Sequence, residues 1–473
     1  MPQTTFEQRI EIGQAIRDSV PRNSHSSIGN VKRDPIKLLK ANSAGRVERL
    51  IPLRYGRMLA SPFAFYRGSA ILQAHDLATT PHTGLTVQIC GDAHLMNFGG
   101  FATPERNLVF DMNDFDEAHP GPWEWDVKRL AASITVAARS LGFKSAAADK
   151  MVFNAVENYR TCMIEFSKMG SLELWYEMTT FDELLKRSKY EEGRKAIARA
   201  MDKAKGRTQK SLLPKMASKV KGKWQFREDP PALFHHAGEN TLFKTKDPAR
   251  RPDLQKVFYD KYFKAYLGSI RPSHRQLLEN FSLQDIAFKA VGVGSVGTRC
   301  WVMLLTDLQD QPLFLQVKQA SRSVLAPYVP ASKSEFKNEG QRVVTGQRLM
   351  QSASDMFLGW VDGPVNRDYY FRQMRDMKVA FELETLSELM LGRYAWLCAH
   401  ILARAHARGS NGLAPQISGY LGKSVQFAEA LVNYANDYAD QVDRDFDHFR
   451  DACRSGKLIA QSEADFGADI RAQ

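Results

Sequence analysis

Phe288-Lys-Ala-Val-Gly-Val-Gly-Ser-Val-Gly297 runs directly into Thr298-Arg-Cys-Trp-Val-Met-Leu-Leu305, a polar turn over 306–312, and Leu313-Phe-Leu-Gln-Val-Lys318. Gly292, Gly294 and Gly297 form a G-x-G-x-x-G pattern, which ordinary glycine frequency makes weak in isolation. Its neighbours give it meaning. Residues 298–305 and 313–318 are apolar, β-branched and aromatic runs separated by turn residues, so both read as strands. A strand after the glycines argues against a dinucleotide-binding βαβ unit, which needs a helix there. Side chains alternate along a strand, so Lys318 lies on the face opposite Leu313, Leu315 and Val317. Its ammonium can therefore leave the core and reach an anion, or it snorkels to the surface beside a tight turn.

Two acidic clusters lie 200 residues upstream, in Cys90-Gly-Asp-Ala-His-Leu-Met-Asn97 and Phe110-Asp-Met-Asn-Asp-Phe-Asp-Glu117. Each follows a short apolar run, 85–89 and 107–110, which is how a strand delivers side chains to a site at its tip. So many carboxylates repel one another unless protons or a cation compensate. A hard cation such as Mg²⁺ takes oxygen ligands, commonly one or two carboxylates together with substrate phosphates. Two Asx-rich surface turns are the plainer alternative.

The 473 residues carry 65 Lys+Arg against 53 Asp+Glu, and 44% of them are hydrophobic, an ordinary globular composition. That excludes a collagenous or wholly disordered chain, and no apolar run is long enough to span a bilayer. Five scattered cysteines and the absence of an apolar leader favour a reducing, cytoplasmic setting. The formal charge of +12 is concentrated between Lys186 and Lys223, where fourteen basic residues face only Glu191, Glu192 and Asp202. That stretch reads either as a solvated helical face with a mobile loop, or as a surface for nucleic acid or an acidic partner. Helical spacing of Val127, Leu130, Ala131, Ile134, Ala137 and Leu141 predicts a helix that Asp126 caps.

Asp92 and Asn97 stand five apart, the interval between the Asp and Asn of a protein-kinase catalytic loop. Gly-Asp-Ala-His-Leu-Met-Asn resembles the G-D-x-H-x-x-N of aminoglycoside and choline kinases still more closely. The segment Asp114-Phe-Asp-Glu-Ala-His-Pro-Gly-Pro-Trp-Glu-Trp-Asp126 is similar to their metal-binding segment in the spacing of both end aspartates, although its internal Asp-Pro is missing. The whole chain also resembles the DUF2252 family of bacterial proteins, through residues 54–68, both acidic motifs and Gly340-Gln-Arg-Val-Val-Thr-Gly-Gln-Arg-Leu-Met-Gln351.

The kinase resemblance implies an α+β, protein-kinase-like two-lobed fold with additional helices. In kinases the glycine loop and lysine precede the catalytic loop, whereas here they follow it. Reading from Phe288 to the end and then from the beginning restores the usual order, which implies circular permutation. Five segments follow: an N-terminal helical extension (1–84), the catalytic-loop and metal part (85–180), a basic helical insertion (181–280), a lobe-like sheet (281–380) and C-terminal helices (381–473). The implied parts include a helix over 334–350, a hinge strand at 369–375 and a long helix over 386–408.

The resemblance also implies roles. Asp92 accepts or orients a substrate hydroxyl, with His94 bonding around the loop, while Asn97 and Asp114 hold Mg²⁺. Asp116 is a second metal or orienting carboxylate. Gly292, Gly294, Gly297 and Lys318 hold the phosphates of ATP. Glu339, or in its place Glu335, Gln341 or Gln347, pairs with Lys318. Asp111 reads as a strand-end residue, and His400 and His406 as structural. The expected activity is ATP- and Mg²⁺-dependent phosphoryl transfer to an unidentified, possibly small-molecule, hydroxyl. A metal-dependent phosphoesterase using Asp92, His94 and Asp114, or a non-catalytic nucleotide- or nucleic-acid-binding protein, are the alternatives.

Overall fold

The computed structural model describes residues 4–329, 336–374 and 377–466. Its strands are β1 (Thr86–Ile89), β2 (Phe98–Ala102), β3 (Leu108–Met112), β4 (His119–Pro122), β5 (Ala217–Val220), β6 (Lys223–Phe226), β7 (Leu233–Phe234), β8 (Ser282–Lys289), β9 (Cys300–Thr306), β10 (Pro312–Ala320), β11 (Gly359–Asp362) and β12 (Asp368–Gln373). The fold is α+β. One antiparallel sheet has the order β11-β12-β10-β9-β8-β7, and β1–β4, β2–β3 and β5–β6 form separate two-stranded ribbons.

The sheet is apolar on both faces, so it must be covered on both. Trp301, Met303, Leu305, Leu313, Leu315, Val317 and Phe371 pack against Phe258, Phe263 and Tyr266, and against Val47, Leu50 and Leu53 of the N-terminal region. On the other face Val302, Leu304 and Phe314 meet Leu212, Leu213, Met216 and Phe226. The segment 186–223 is thus not a mobile loop: the helix Glu191–Lys205 packs Ala200 and Ala204 on the helical core, and the helix Gln209–Met216 with the β5–β6 hairpin docks on the sheet. Gln209 ties it there, accepting from Phe314 N at 2.9 Å and donating to Met374 O at 2.6 Å. Its lysines still point outward, with Lys195, Lys203 and Lys205 more than half exposed. The 181–280 segment is also not wholly helical, since it supplies β5, β6 and the edge strand β7.

The second body is helical. Trp123–Ser140, Ser145–Phe166, Glu388–Gly409 and Gln426–Arg454 share one continuous apolar core with the N-terminal helices. Arg33 clamps that arrangement by pairing with Asp76 at 2.7 Å and Asp445 at 2.6 Å. Residues 4–84 thus serve both bodies, with Val47, Leu50 and Leu53 on the sheet and Ile36, Leu39, Tyr55 and Leu72 in the helical core. Among the described residues no helix is long and apolar enough to cross a membrane.

His235 locks β7 to the sheet body by bridging Glu228 at 2.8 Å and Asp285 at 2.9 Å. The hydrogen bond to Asp285 raises its pKa to about 9, against partial burial. A raised folded-state pKa stabilises fully below the unfolded value of about 6.5, and that contribution is lost as pH rises through the folded pKa. Between pH 6.5 and 9.5 the wild-type melting temperature is expected to fall more steeply than that of His235→Gln. The difference corresponds to roughly 3 kcal/mol at most, and matching slopes would exclude this role.

Candidate functional site

The loop after β1 is set by backbone constraints. Gly91 sits at φ +81°, and a Cβ there would come within 2.3 Å of Glu117 O. Asp126 accepts the backbone N–H of Cys90 at 2.7 Å and of Gly91 at 2.9 Å. The capping expectation is corrected here. The helix begins at Trp123, so Asp126 lies inside its first turn and braces the loop instead. His406, buried in the helix Glu388–Gly409, contacts Asp126 at 3.2 Å and Tyr159 Oη at 2.8 Å. Three residues after Asp126, Arg129 reaches Asp92 Oδ1 with Nε at 2.8 Å and Nη2 at 2.7 Å. Both contacts fall on one oxygen, which leaves Oδ2 free of the arginine; His94 Nε2 lies 3.7 Å from it. Burial raises the Asp92 pKa despite Arg129, and it pushes that of His94 well below the usual imidazole value. Asn97 Nδ2 donates to Asp92 O at 2.6 Å, so its Oδ1 remains as a ligating oxygen.

From the opposite side β10 brings Lys318, only 2% exposed, across to the acidic segment. Strand alternation puts Lys318, Gln316, Tyr370 and Arg372 on the cleft side of β10 and β12. Lys318 Nζ donates to Asp116 Oδ2 at 2.6 Å and stands 3.9 Å from Asp114 Oδ1. Tyr370 Oη donates to the other Asp116 oxygen at 2.6 Å. Burial alone would push the Asp116 carboxyl up, but Lys318 and Tyr370 outweigh it and hold the group below the usual carboxylate range. Burial opposes the charge of Lys318 too, and Asp114 and Asp116 reverse that effect and raise its pKa.

The pairing of Glu339 with Lys318 is not what the structure contains. Glu339 opens the helix Glu339–Met350 and turns to Arg342 in the same turn. Arg342 in turn donates to Asp116 O and Ser321 O at 2.9 Å each, and to Ala118 O. The helix thus acts on the acidic segment through an arginine, and Lys318 takes its carboxylate from that segment directly. Glu335 and the end of the hinge at Arg375 lie outside the described residues.

The glycine loop uses positive φ at Gly292 (+65°) and Gly297 (+83°). Arg57 donates to Gly292 O at 2.6 Å, and Arg46 donates to Gly294 O at 2.7 Å and Val296 O at 2.6 Å. Ser295 Oγ comes within 3.4 Å of Asp116. Two connected cavities result. The larger, about 880 Å³, is lined by Lys318, Gln316, Arg372, Met374 and Phe357. The smaller, about 340 Å³, is lined by Asp92, His94, Asp116 and Glu117. Asn97, Asp114, Arg67, Gly292 and Ser295 line both and so mark where they meet.

Gly292 and Gly294, Lys318, Asn97, Asp92, His94, Asp114 and Asp116 all border this double cavity, whereas Gly297 packs against Arg46 behind it. Of the basic stretch, Arg207 alone borders it. Asp111 is fully buried, paired with Arg404 at 2.6 Å and accepting from Ser352 N and Oγ. Sequence reasoning missed Arg129, Tyr370 and Arg342. The signal available was the charged pair Lys128-Arg129 at the start of a helix whose following residues are mostly apolar. Among the described residues no group of three or more His, Cys, Asp and Glu side chains is arranged to hold a metal. The oxygens of Asn97 and Asp114 remain a suitable donor pair for a hard cation that also takes phosphate oxygens.

A family model described as an uncharacterized protein conserved in bacteria, DUF2252, matches residues 46–452. The chain belongs to the DUF2252 family. That match spans both acidic motifs, the glycine loop and Lys318, so both halves of this DUF2252 site lie within one family unit. No curated protein and no solved structure matches the chain.

Replacing Asp111 by Ala leaves Arg404 buried and unpaired, which is expected to destabilise the fold by about 3–5 kcal/mol. A denaturant melt checks this. A stable Asp111→Ala protein that loses only ligand binding would instead make Asp111 a ligand residue.

Proposed function

We propose that this DUF2252 protein is an ATP- and Mg²⁺-dependent phosphotransferase with a circularly permuted, kinase-like arrangement, acting on a hydroxyl acceptor. The observation that carries the reading is the approach of Lys318 to Asp114 and Asp116 across the line where the two cavities meet. One chamber offers a lysine, part of a glycine loop and apolar walls; the other offers the half-buried carboxylate of Asp92; the metal-type oxygens lie between them. Phosphoryl transfer requires that division, because its barrier falls mainly through positioning and charge neutralisation.

In this reading the triphosphate occupies the larger cavity, with Lys318 and the glycine loop at Gly292 and Ser295 against its phosphates. Asn97 Oδ1 and Asp114 hold magnesium, which supplies neutralisation of the phosphate charge. Asp92 Oδ2 orients the acceptor hydroxyl and receives its proton, while Arg129 fixes Oδ1 and the loop. The acceptor oxygen forms a bond to the γ-phosphorus, the bond from that phosphorus to the bridging oxygen breaks, and ADP leaves. Tyr370 and Arg342 hold Asp116 and its backbone where Lys318 can be oriented. Circular permutation is supported by the packing of the N-terminal helices on the C-terminal ones in one apolar core, the proximity that a re-joined chain requires. The five unpaired cysteines suit a reducing cytoplasm.

Mg²⁺-ATP is expected to raise the melting temperature by ligand linkage, and Asp114→Ala is expected to abolish that rise. Incubation of the wild type with γ- and α-labelled ATP and a cell extract is expected to move the γ label, and Asp92→Asn to slow this by about 100-fold or more. Transfer of the α label instead would make the reaction nucleotidyl transfer. A melting temperature indifferent to Mg²⁺-ATP would overturn the reading.

A further inference from the structure

We propose that the smaller cavity binds an acceptor carrying its own anionic group, a phosphate or carboxylate, and that Arg67 anchors that group. Calling the ligand an acceptor rests on the phosphotransferase reading; the anion site itself does not.

Arg67 lies in the last turn of the helix Pro62–Gly68 and borders both cavities. It makes no hydrogen bond or ion pair among the described residues, and its Nε is buried without a partner. Four neighbouring arginines are engaged. Arg46 and Arg57 hold glycine-loop carbonyls, Arg54 holds Ser43, Asn42 and Gly68 O, and Arg129 holds Asp92, Gln73 and Tyr66 O. A guanidinium is a planar fork of donors, and leaving it half-buried and unbonded is costly unless a ligand completes it. Phosphate and carboxylate are the groups whose oxygens match that fork.

Three of the four carboxylates of the same chamber are already committed, and the fourth, Asp114, lies at the junction with the larger cavity. Asp92 is paired with Arg129 and Asp116 with Lys318, while Glu117 accepts Val324 N at 2.7 Å. Arg322, exposed on the wall formed by the chain after β10, adds a further positive charge. About 340 Å³ suits a small molecule rather than a folded partner. An anion on Arg67 would stand beside the Asp92–Asn97 loop, leaving another part of the same molecule to offer its hydroxyl to Asp92.

The test uses the full chain with inorganic phosphate, and with malonate as the carboxylate probe, against chloride at equal ionic strength. Melting temperatures are read for wild type, Arg67→Gln, Arg67→Lys and Lys318→Gln. Phosphate or malonate is expected to raise the melting temperature of wild type and Lys318→Gln alike. The half-maximal concentration should rise at least ~10-fold in Arg67→Gln and by less in Arg67→Lys, which keeps the charge and serves if the glutamine variant does not fold. The probe that acts names the anionic group. The proposal is overturned if neither probe stabilises the wild type more than chloride, if Arg67→Gln responds as the wild type does, or if the response disappears in Lys318→Gln. Mg²⁺-ADP is titrated on the same samples. A response to it without an Arg67-dependent anion response removes this inference and leaves the nucleotide reading. An Arg67-dependent response without any response to Mg²⁺-ADP upholds the anion site and removes only the name acceptor.

Discussion

The contact between Lys318 and Asp116 joins the sheet to the helical body at the floor of the cleft, and the site depends on it. Taking an ammonium out of water costs several kcal/mol unless opposite charge and hydrogen bonds replace the lost solvent. Here Asp116 meets the lysine directly, Asp114 stands within 4 Å, and Tyr370 takes the second Asp116 oxygen. None of these groups could be buried alone. Each is tolerable because the others come from a different part of the chain, and the closing of the two bodies is therefore also the assembly of the charges.

Arginines organise the remainder. Arg129 fixes one oxygen of Asp92, Arg342 fixes the carbonyls on either side of Glu117, and Arg46 and Arg57 fix the glycine loop. With those positions rigid, the polar groups among the described residues that remain open to a ligand include Asn97 Oδ1, Asp114, the second oxygen of Asp92, Arg67 and Arg322. They border the two chambers and their meeting point. Rigid surroundings with a small set of uncommitted charges are what phosphoryl transfer uses, since little covalent work falls to the protein.

Much of this was legible beforehand. The alternation in Leu313–Lys318 gave the correct face for the lysine, and the apolar spacing from Val127 gave the brace helix, whose first turn carries Asp126. Other parts carried weak or contrary signals. Phe98–Ala102 and His119–Pro122 are strands despite their glycines and prolines, because pairing with β3 and β1 outweighs poor intrinsic preference. The carboxylate partner of Lys318 was sought on the following helix, where Glu339 is engaged by Arg342 one turn away. Spacing along a chain does not reveal which of several acids a lysine will meet across a gap.

The sequence by itself determined the chemical inventory and its local presentation: which residues sit at strand tips, which face a strand presents, and where a loop needs glycine. Those follow from backbone sterics and the periods of helix and strand, which act over a few residues. Only the tertiary structure decided that Lys318 belongs with Asp116, that Asp126 braces the Cys90–Gly91 backbone, and that Arg67 stands unengaged between two cavities. Those depend on distances between segments as much as 200 positions apart and more, fixed by how the apolar cores close against each other.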